Sequence, residues 1–252
     1  MEKISTFKYP FLNLLKLILF IPLLYNCSLS AKELNIETID IFPFGHMGPD
    51  DKVSGLIYEI SNKIAQEAGF TYKNTLTPYA RTIIDLKNGY CDFVIRYSNP
   101  ELEKIAIPVA NIIGFDSIII ANKGNQFKSQ KDLHGKTIGK IRGGLFDNKI
   151  YKDKEIHKYE ANDYDQLFKM LLANRFDAII GSTIGIYSNA KKMNIPINQL
   201  SSPLILQKKY FILHFSKKNA DPKIIKTLKD AINKLQSNGE FLKIEKSYEL
   251  SM

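Results

Sequence analysis

Short apolar runs and helical stripes alternate along the first half of the chain. Residues 34–42 (LNIETIDIF) have the composition of a strand, and residues 54–68 carry apolar side chains at helical spacing. Residues 70–76 and 93–95 are further predicted strands, separated by a short helix that begins at Pro78. This alternation predicts an α/β fold in which a mainly parallel sheet is covered by helices on both faces.

The same alternation continues in the second half. A long apolar run at 112–121 leaves the first set of strands, and 136–141, 156–159 and 178–180 are predicted strands of a second sheet. Residues 210–215 are again apolar and are placed to return to the first sheet. Two connections between two sheets predict two lobes with a hinge made of two segments.

Linker and helix signals mark the C-terminal region. Residues 201–203 (SSP) are typical of a linker. Asp221 suits a helix N-cap, Pro222 the first helical position and Gly239 the helix end, with apolar residues at helical spacing between them. These signals predict a C-terminal helix with one buried face.

One pattern occurs twice in the chain, as LKNGYCDFVI at 86–95 and LLANRFDAII at 171–180, with a constant offset of 85 positions. The offset also aligns Asp92 with Asp177 and Tyr79 with Tyr164. Each copy has the pattern of a helix end, a turn and a buried strand, so each aspartate is expected to fix the turn and not to act as an acid or base. Two matching αβ units favour a ligand site between them.

The first 31 residues differ from the rest of the chain. Three lysines precede an uncharged apolar run at 17–25, and small residues follow, which is the pattern of a secretory signal peptide. The run is much shorter than the roughly 20 apolar residues that span a bilayer. The signal peptide is therefore predicted to be 1–31 and the mature protein to be periplasmic. A degraded lipoprotein cleavage box at Cys27 leaves a lipid anchor open as an alternative.

Composition and charge argue against several function classes. The formal net charge is +9, but the lysines are scattered among acidic residues, which indicates a solvated surface, and no nucleic-acid-binding motif is present. The 4 histidines lack metal-ligand spacing, so neither a metal nor a cofactor is expected. Cys27 and Cys91 are not expected to form a disulfide, because Cys27 lies at the cleavage region. No catalytic triad can be defended from residue order.

Three motifs in a fixed order suggest a family. They are GLIYEI at 55–60, PYAR at 78–81 followed by Leu86, Gly89 and Asp92, and DLHGKTIG at 132–139. In this order they resemble the family 3 extracellular solute-binding proteins, the receptors of polar amino-acid ABC importers. The resemblance covers residues 34–248.

The resemblance implies a two-lobed periplasmic-binding-protein fold of type II, a monomer that closes on a small polar, anionic or amino-acid-like solute. Residues 32–121 with 206–252 would form the first lobe and 122–205 the second. The expected partner is an ABC transporter permease. The protein would contact the membrane only through this permease or through the possible lipid anchor at Cys27.

Two positions depart from the family pattern. Members that bind α-amino acids usually hold the carboxylate with an arginine, yet the corresponding window, 102–104, offers only Lys104. The acid that usually receives the α-ammonium is replaced by Ser182. These departures leave open the alternative that the ligand is not a standard α-amino acid.

Candidate ligand-binding residues of the first lobe follow predicted strands or begin a helix. Phe44 is an aromatic wall of the cleft or a core residue, and Arg81 is an anion hook or a partner in a surface ion pair. Arg96, at the end of its strand, is the best replacement for the missing carboxylate fork. Tyr79, Tyr97 and Ser98 complete this set.

The second lobe offers a glycine-containing loop and a hydroxyl. Arg142, Gly143 and Gly144 end the first strand of this lobe, and glycines let backbone N–H groups approach an anion closely. Ser182 could donate its hydroxyl to a solute, with helix capping as the alternative.

Two other functions remain as alternatives to a transport receptor, which would not be an enzyme. One is an enzyme resembling cyclohexadienyl dehydratases, which would need a cleft carboxylate such as Glu101, Asp147 or Glu160. The other is a ligand-sensing accessory protein for a chemoreceptor or sensor.

Overall fold

Strands and helices alternate along residues 32–250, the part of the 252-residue chain that the computed structural model describes. The predicted signal peptide and Cys27 lie outside the described residues. The strands are β1 (Leu34–Ile39), β2 (His46–Met47), β3 (Val53–Ser54), β4 (Tyr72–Thr77), β5 (Phe93–Arg96), β6 (Ala106–Ile120), β7 (Thr137–Ile141), β8 (His157–Ala161), β9 (Ala178–Ser182) and β10 (Leu204–Ser216). The α-helices are α1 (Leu56–Glu67), α2 (Arg81–Asn88), α3 (Pro100–Ile105), α4 (Asn148–Lys152), α5 (Tyr164–Leu172), α6 (Thr183–Lys192), α7 (Pro222–Ser237) and α8 (Glu240–Leu250).

Eight of these strands form one sheet in the order β4-β1-β5-β10-β6-β9-β7-β8, and β2 and β3 form a small separate pair. Strand β1 is parallel to β4 and β5 at one end of the sheet, and β7 is parallel to β8 and β9 at the other. The predicted α/β fold is confirmed, but the predicted second sheet is not separate, because both parallel portions belong to one continuous sheet. The middle of the sheet is antiparallel, because β6 and β10 run between the two parallel portions.

Strands β6 and β10 pair along nearly their whole lengths and connect the two portions. The far end of β10 pairs with β5, whereas the far end of β6 pairs with β9. Both strands are longer than their apolar runs predict. The additional part of β10 contains Gln207, Lys208 and Lys209. Their polar side chains do not indicate a strand, although their backbones pair with β6.

Local signals set most element ends. The Asp221 carboxylate accepts hydrogen bonds from the N–H groups of Lys223 (2.8 Å) and Ile224 (3.4 Å), so the predicted start of α7 is confirmed. Helix α2 begins at Arg81 and not at Pro78, because 78–80 form a turn in which the Arg81 N–H donates to the Pro78 carbonyl over 2.8 Å.

The sequence repeat has a structural counterpart. Asp92 accepts a hydrogen bond from the Asn35 N–H at the start of β1 (2.8 Å), and Asp177 accepts one from the Thr137 N–H at the start of β7 (2.7 Å). The backbone N–H of each aspartate donates to the carbonyl of the same partner residue. Both aspartates thus join a helix-to-strand turn to the neighbouring parallel strand, which confirms the predicted turn-fixing role.

The core extends from one sheet portion to the other. Ile36, Phe93 and Leu213 are fully buried in the first portion, and Ile138 and Ile179 in the second. No helix within residues 32–250 is long and apolar enough to cross a membrane.

Candidate functional site

The carboxyl ends of four strands meet where the two sheet portions face each other. The segments after β1, β5, β7 and β9 all lie at this edge, which is where ligands bind in open α/β sheets. The predicted candidate residues follow these strands, so the topology explains which of them come together.

Arg96, the last residue of β5, lies at the centre of this edge and is 0% exposed. Its Nη1 donates to the Tyr79 carbonyl (2.5 Å) and to Thr82 Oγ1 (2.6 Å). The guanidinium also stacks on the Tyr79 ring, with 3.8 Å between its central carbon and the ring centroid, a favourable cation–π contact. The turn before α2 and the first turn of α2 therefore hold one side of the guanidinium.

Arg96 also reaches the loop after β7. Its Nη2 donates to the Gly143 carbonyl over 3.3 Å. Gly143 has φ 71°, and a Cβ at this position would lie 3.4 Å from the Ala80 Cα, so the two segments are in close contact. A second bridge joins the same two parts of the molecule, because Asn189 Nδ2 on α6 donates to the Phe42 carbonyl (2.8 Å). The segments after β7 and β9 are therefore in direct contact with the first parallel portion of the sheet at two points.

Three buried tyrosines surround the same point. Tyr97 and Tyr164 both lie beside Ser182, and burial raises the pKa of both phenols. The hydroxyl of Tyr79 has no hydrogen-bond partner among the described residues, and the same holds for Nε of Arg96. Ser182 caps α6 by accepting a hydrogen bond from the Gly185 N–H (3.2 Å). The buried centre is rich in hydroxyl groups and contains one guanidinium.

Two open cavities flank the contact between Arg96 and Gly143. One, about 760 Å³, is lined by Tyr79, Arg81 and Arg142 together with acidic residues that include Asp40 and Asp163. The other, about 470 Å³, borders the opposite side of the loop at Gly143 and Gly144, and contains Glu101, Lys104, Lys140 and Glu160. The contact between Arg96 and Gly143 divides the cleft.

Other candidates lie away from the buried centre. Arg81 is 66% exposed at its side chain and pairs with Asp85 (Nε to Oδ2, 3.0 Å). Phe44 packs on Phe211 with 4.8 Å between ring centroids, inside an aromatic cluster that includes Tyr97. Ser98 donates to Glu103 (3.1 Å) and borders a different cavity. The structure therefore gathers Tyr79, Arg96, Tyr97, Gly143 and Ser182, buries Phe44 in the adjoining aromatic core, and leaves the remaining candidates at the periphery.

Burial and local charge shift two further titratable groups. Burial and the positive charge of Arg96 lower the pKa of His214, on β10, to about 4. Burial, the negative charge of Asp85 and a hydrogen bond with Asp85 raise the pKa of Glu37, on β1, to about 7.

No group of metal-ligating side chains occurs within residues 32–250. The thiol of Cys91 is free and buried, and burial raises its pKa. Neither observation supports a metal or a redox site among these residues.

Sequence reasoning missed three contributors to the site. Tyr164 aligns with Tyr79 in the repeat, so the repeat could have identified it. Thr82 directly follows the PYAR motif, but nothing marked it as the acceptor of an arginine. Asn189 carried no signal, because it lies within a helix and its partner, Phe42, is 147 residues away.

Comparisons with known proteins agree with the predicted resemblance. No protein-family model matches the chain. The chain is 21% identical over 213 residues to the probable amino-acid-binding protein YxeM of Bacillus subtilis, covering 82% of this chain and 80% of that protein. The sequence resemblance to amino-acid-type solute-binding proteins is thereby confirmed.

Solved structures show the same fold. An ancestral arginine-binding protein bound to glutamine has a TM-score of 0.74 at 19% identity, covering 86% of this chain and 97% of its own. The arginine-, lysine-, histidine-binding protein ArtJ of Geobacillus stearothermophilus gives 0.72 at 19%, with 86% and 95% covered. The ancestral amino acid-binding protein AncCDT-1, a precursor of cyclohexadienyl dehydratase, gives 0.71 at 15%, with 86% and 94% covered. The predicted type II binding-protein fold is confirmed.

Proposed function

We propose that this protein is a periplasmic solute-binding protein that captures a small polar, amino-acid-like solute between two lobes and delivers it to an ABC importer. The observation that carries the proposal is the buried centre at the strand ends, where Arg96 and Tyr79 on one side face Gly143 and Ser182 on the other. The similarity to YxeM and to amino-acid-binding structures supports the same function.

The proposed lobes are residues 32–121 with 206–252, and residues 122–205. The crossing strands β6 and β10 support this division, since they are the segments that connect the two parallel portions of the sheet. Closure would then bring the loop after β7 onto the turn before α2. We infer that the transporter permease recognises the closed form of the protein.

An enzyme with a cleft carboxylate as general acid is not favoured. Glu101 and Glu160 line the cavity beside Gly143, but none of the three acids considered for that role lies in the buried centre. Glu160 pairs with Lys140 over 2.6 Å, Asp147 caps α4 by accepting from the N–H groups of Lys149 and Ile150, and Glu101 is exposed on α3.

Thermal unfolding of the purified protein against amino acids, organic acids, polyamines and short peptides tests the proposed function. A solute at 1,000 times its dissociation constant stabilises the folded state by about 4 kcal/mol, which raises the midpoint by roughly 8–16 °C for a chain of this size. Turnover of prephenate or arogenate, measured in parallel, is expected to be absent. A silent panel, or turnover of either compound, would overturn the proposal.

A further inference from the structure

Arg96 is a buried cation without a counter-ion. Its guanidinium is 0% exposed, and it forms no ion pair with any residue in the described range 32–250. Lys140, a second buried cationic side chain, does have a carboxylate partner in Glu160. Burial lowers the pKa of Arg96, and Glu101, which opposes this shift, lies on the exposed side of α3 and makes no salt bridge to it. Burying a charge costs free energy unless a partner of opposite charge compensates it. The surroundings of Arg96 therefore favour binding of an anion.

The unused side of the guanidinium has the geometry of a carboxylate fork. Nη1 is fully engaged with the Tyr79 carbonyl and Thr82. Nε has no partner, and Nη2 makes only the 3.3 Å contact to the Gly143 carbonyl. The Nε–H bond and the Nη2–H bond parallel to it point to the same side of the planar guanidinium. Two parallel N–H donors match the two oxygens of a carboxylate. The unpartnered Tyr79 hydroxyl is a further buried donor against this guanidinium.

We infer that the Nε–Nη2 edge of Arg96 binds the carboxylate of the solute, which replaces the Gly143 carbonyl, and that the solute needs no α-ammonium group. This inference rests on the proposed function and specifies its ligand. The guanidinium comes from the end of β5, so it differs in position from the missing arginine of the 102–104 window.

The surroundings of Arg96 explain why an α-ammonium is not required. Besides Thr82, which already bonds Arg96, the buried polar side chains next to the tyrosines include the hydroxyls of Ser182 and Ser117, which face each other in the β6–β9 pair. The carboxylates of Asp40 and Asp163 are exposed and line the open cavity and not this buried wall. Ser182 already accepts a hydrogen bond from Gly185, and Ser117 Oγ has no partner among the described residues. A hydroxyl can donate or accept, so this wall accommodates a hydroxyl or a neutral oxygen as well as an amine.

Matched triplets of small molecules test the inference on the purified protein by calorimetric titration. Each triplet has one side chain without a carboxylate and three head groups: leucine, 2-hydroxyisocaproate and leucinamide; phenylalanine, phenyllactate and phenylalaninamide; arginine, argininic acid and argininamide. In a triplet that binds, the amino acid and the hydroxy acid are expected to agree within about tenfold, and the carboxamide to bind about 100-fold more weakly, because it loses the charge-assisted fork.

Variants assign the effect to the guanidinium. Arg96→Met should abolish the preference for carboxylate over carboxamide, and Arg96→Lys should reduce it, since an ammonium is a point charge without a fork. Tyr79→Phe removes only the orphan hydroxyl and should weaken carboxylate binding about tenfold with no loss of folding. Arg175→Gln is the matched control, because Arg175 is exposed at the turn before β9, and it should bind like the unmodified protein. If Arg96→Met does not fold, as judged by circular dichroism, the inference is tested with Arg96→Lys and Tyr79→Phe alone.

The outcomes separate this inference from the proposed function. Equal binding of carboxylate and carboxamide, loss of affinity confined to the hydroxy acids, or unchanged discrimination in both Arg96→Lys and Tyr79→Phe would overturn the inference and leave the receptor intact. If every triplet is silent, the inference falls. Neutral sugars and spermidine are then titrated: binding of either retains a receptor for another solute class, and binding of neither overturns the proposed function as well.

Discussion

Two buried side chains respond to pH with opposite sign. The Glu37 pKa is raised from 4.5 to about 7, so the stability contributed by its protonated form is present at low pH and is lost as the pH rises through 7. The His214 pKa is lowered from 6.5 to about 4, so the stability contributed by its neutral form is present above 6.5 and is lost as the pH falls through 4. The two slopes oppose each other between pH 4.5 and 6.5.

We therefore expect the contributions of these two groups to the free energy of unfolding to nearly cancel over that interval. Glu37→Gln removes the Glu37 slope, so between pH 4.5 and 6.5 the free energy of unfolding of the variant should rise, relative to that of the unmodified protein, by about 1.4 kcal/mol per pH unit. In this interval His214 is neutral in the folded state and protonated in the unfolded chain. Urea unfolding at several pH values measures this. His157→Gln, which changes an exposed histidine, should follow the unmodified protein. A Glu37→Gln curve parallel to that of the unmodified protein would contradict the assignment.

The sequence placed Arg96 at a strand end but could not show its surroundings. Its partners Thr82 and Gly143 are 14 and 47 residues away, and only the folded topology brings them together. For Arg81 the sequence left two alternatives, an anion hook and an ion pair. The structure contains the ion pair with Asp85, and it also places Arg81 on a cavity wall, so its role in binding stays a prediction.

At the scale of elements, the two repeated turns differ in burial. The Asp92 side chain is 1% exposed, and it also bonds Lys32 and Asn219, whereas the Asp177 side chain is 37% exposed. The same turn therefore depends on a fully enclosed carboxylate in one half and on a partly solvated one in the other.

Replacing these aspartates should give graded losses of stability. Asp92→Ala leaves a buried N–H and an ammonium without their acceptor and should cost about 3 kcal/mol, while Asp177→Ala should cost about 1–2 kcal/mol because water can substitute. Asp→Asn at either site keeps an acceptor oxygen and should recover part of the loss. Asp230→Ala, in an exposed pair with Lys226, should change the free energy of unfolding by less than about 0.5 kcal/mol. Equal losses at Asp92 and Asp177 in chemical denaturation would contradict this ranking.

Element types were more predictable from the sequence than element lengths. The short buried strands and the helices with clear caps follow from apolar periodicity and local capping residues. Strand β10 is underestimated because its first half pairs through the backbone while the side chains of residues such as Gln207 and Lys208 face water. These polar residues have the composition of a loop, and only the partner strand determines the extent of the pairing.

At the scale of the whole molecule, the hydrogen bond from Asn189 to the Phe42 carbonyl is a clasp between the two proposed lobes. Asn189→Ala removes it, which should disfavour the closed form by about 1 kcal/mol and weaken solute binding about fivefold. Small-angle scattering of the free protein should show a larger radius of gyration, which saturating solute should reduce to that of the unmodified protein.

A control variant locates the effect in the clasp. Asn238→Ala changes an asparagine at the end of α7 that bonds Glu240 within the same lobe, and it should leave scattering and affinity unchanged. Unchanged scattering together with unchanged affinity in Asn189→Ala would show that this bond does not contribute to closure.

The chain leaves β6 and returns to β10 at neighbouring residues. The Ser201 N–H donates to the Ala121 carbonyl (2.8 Å), and Asn122 forms a bridge with Leu200. Everything between these points is an insert whose two ends already touch. Such an insert can be exchanged as a cassette without rerouting the rest of the chain. Arg96 and Tyr79 lie outside it, whereas Gly143 and Ser182 lie within it. Evolution, or an engineer, could therefore keep Arg96 and Tyr79, the proposed carboxylate-binding pair, and exchange the facing segment that contains Gly143 and Ser182.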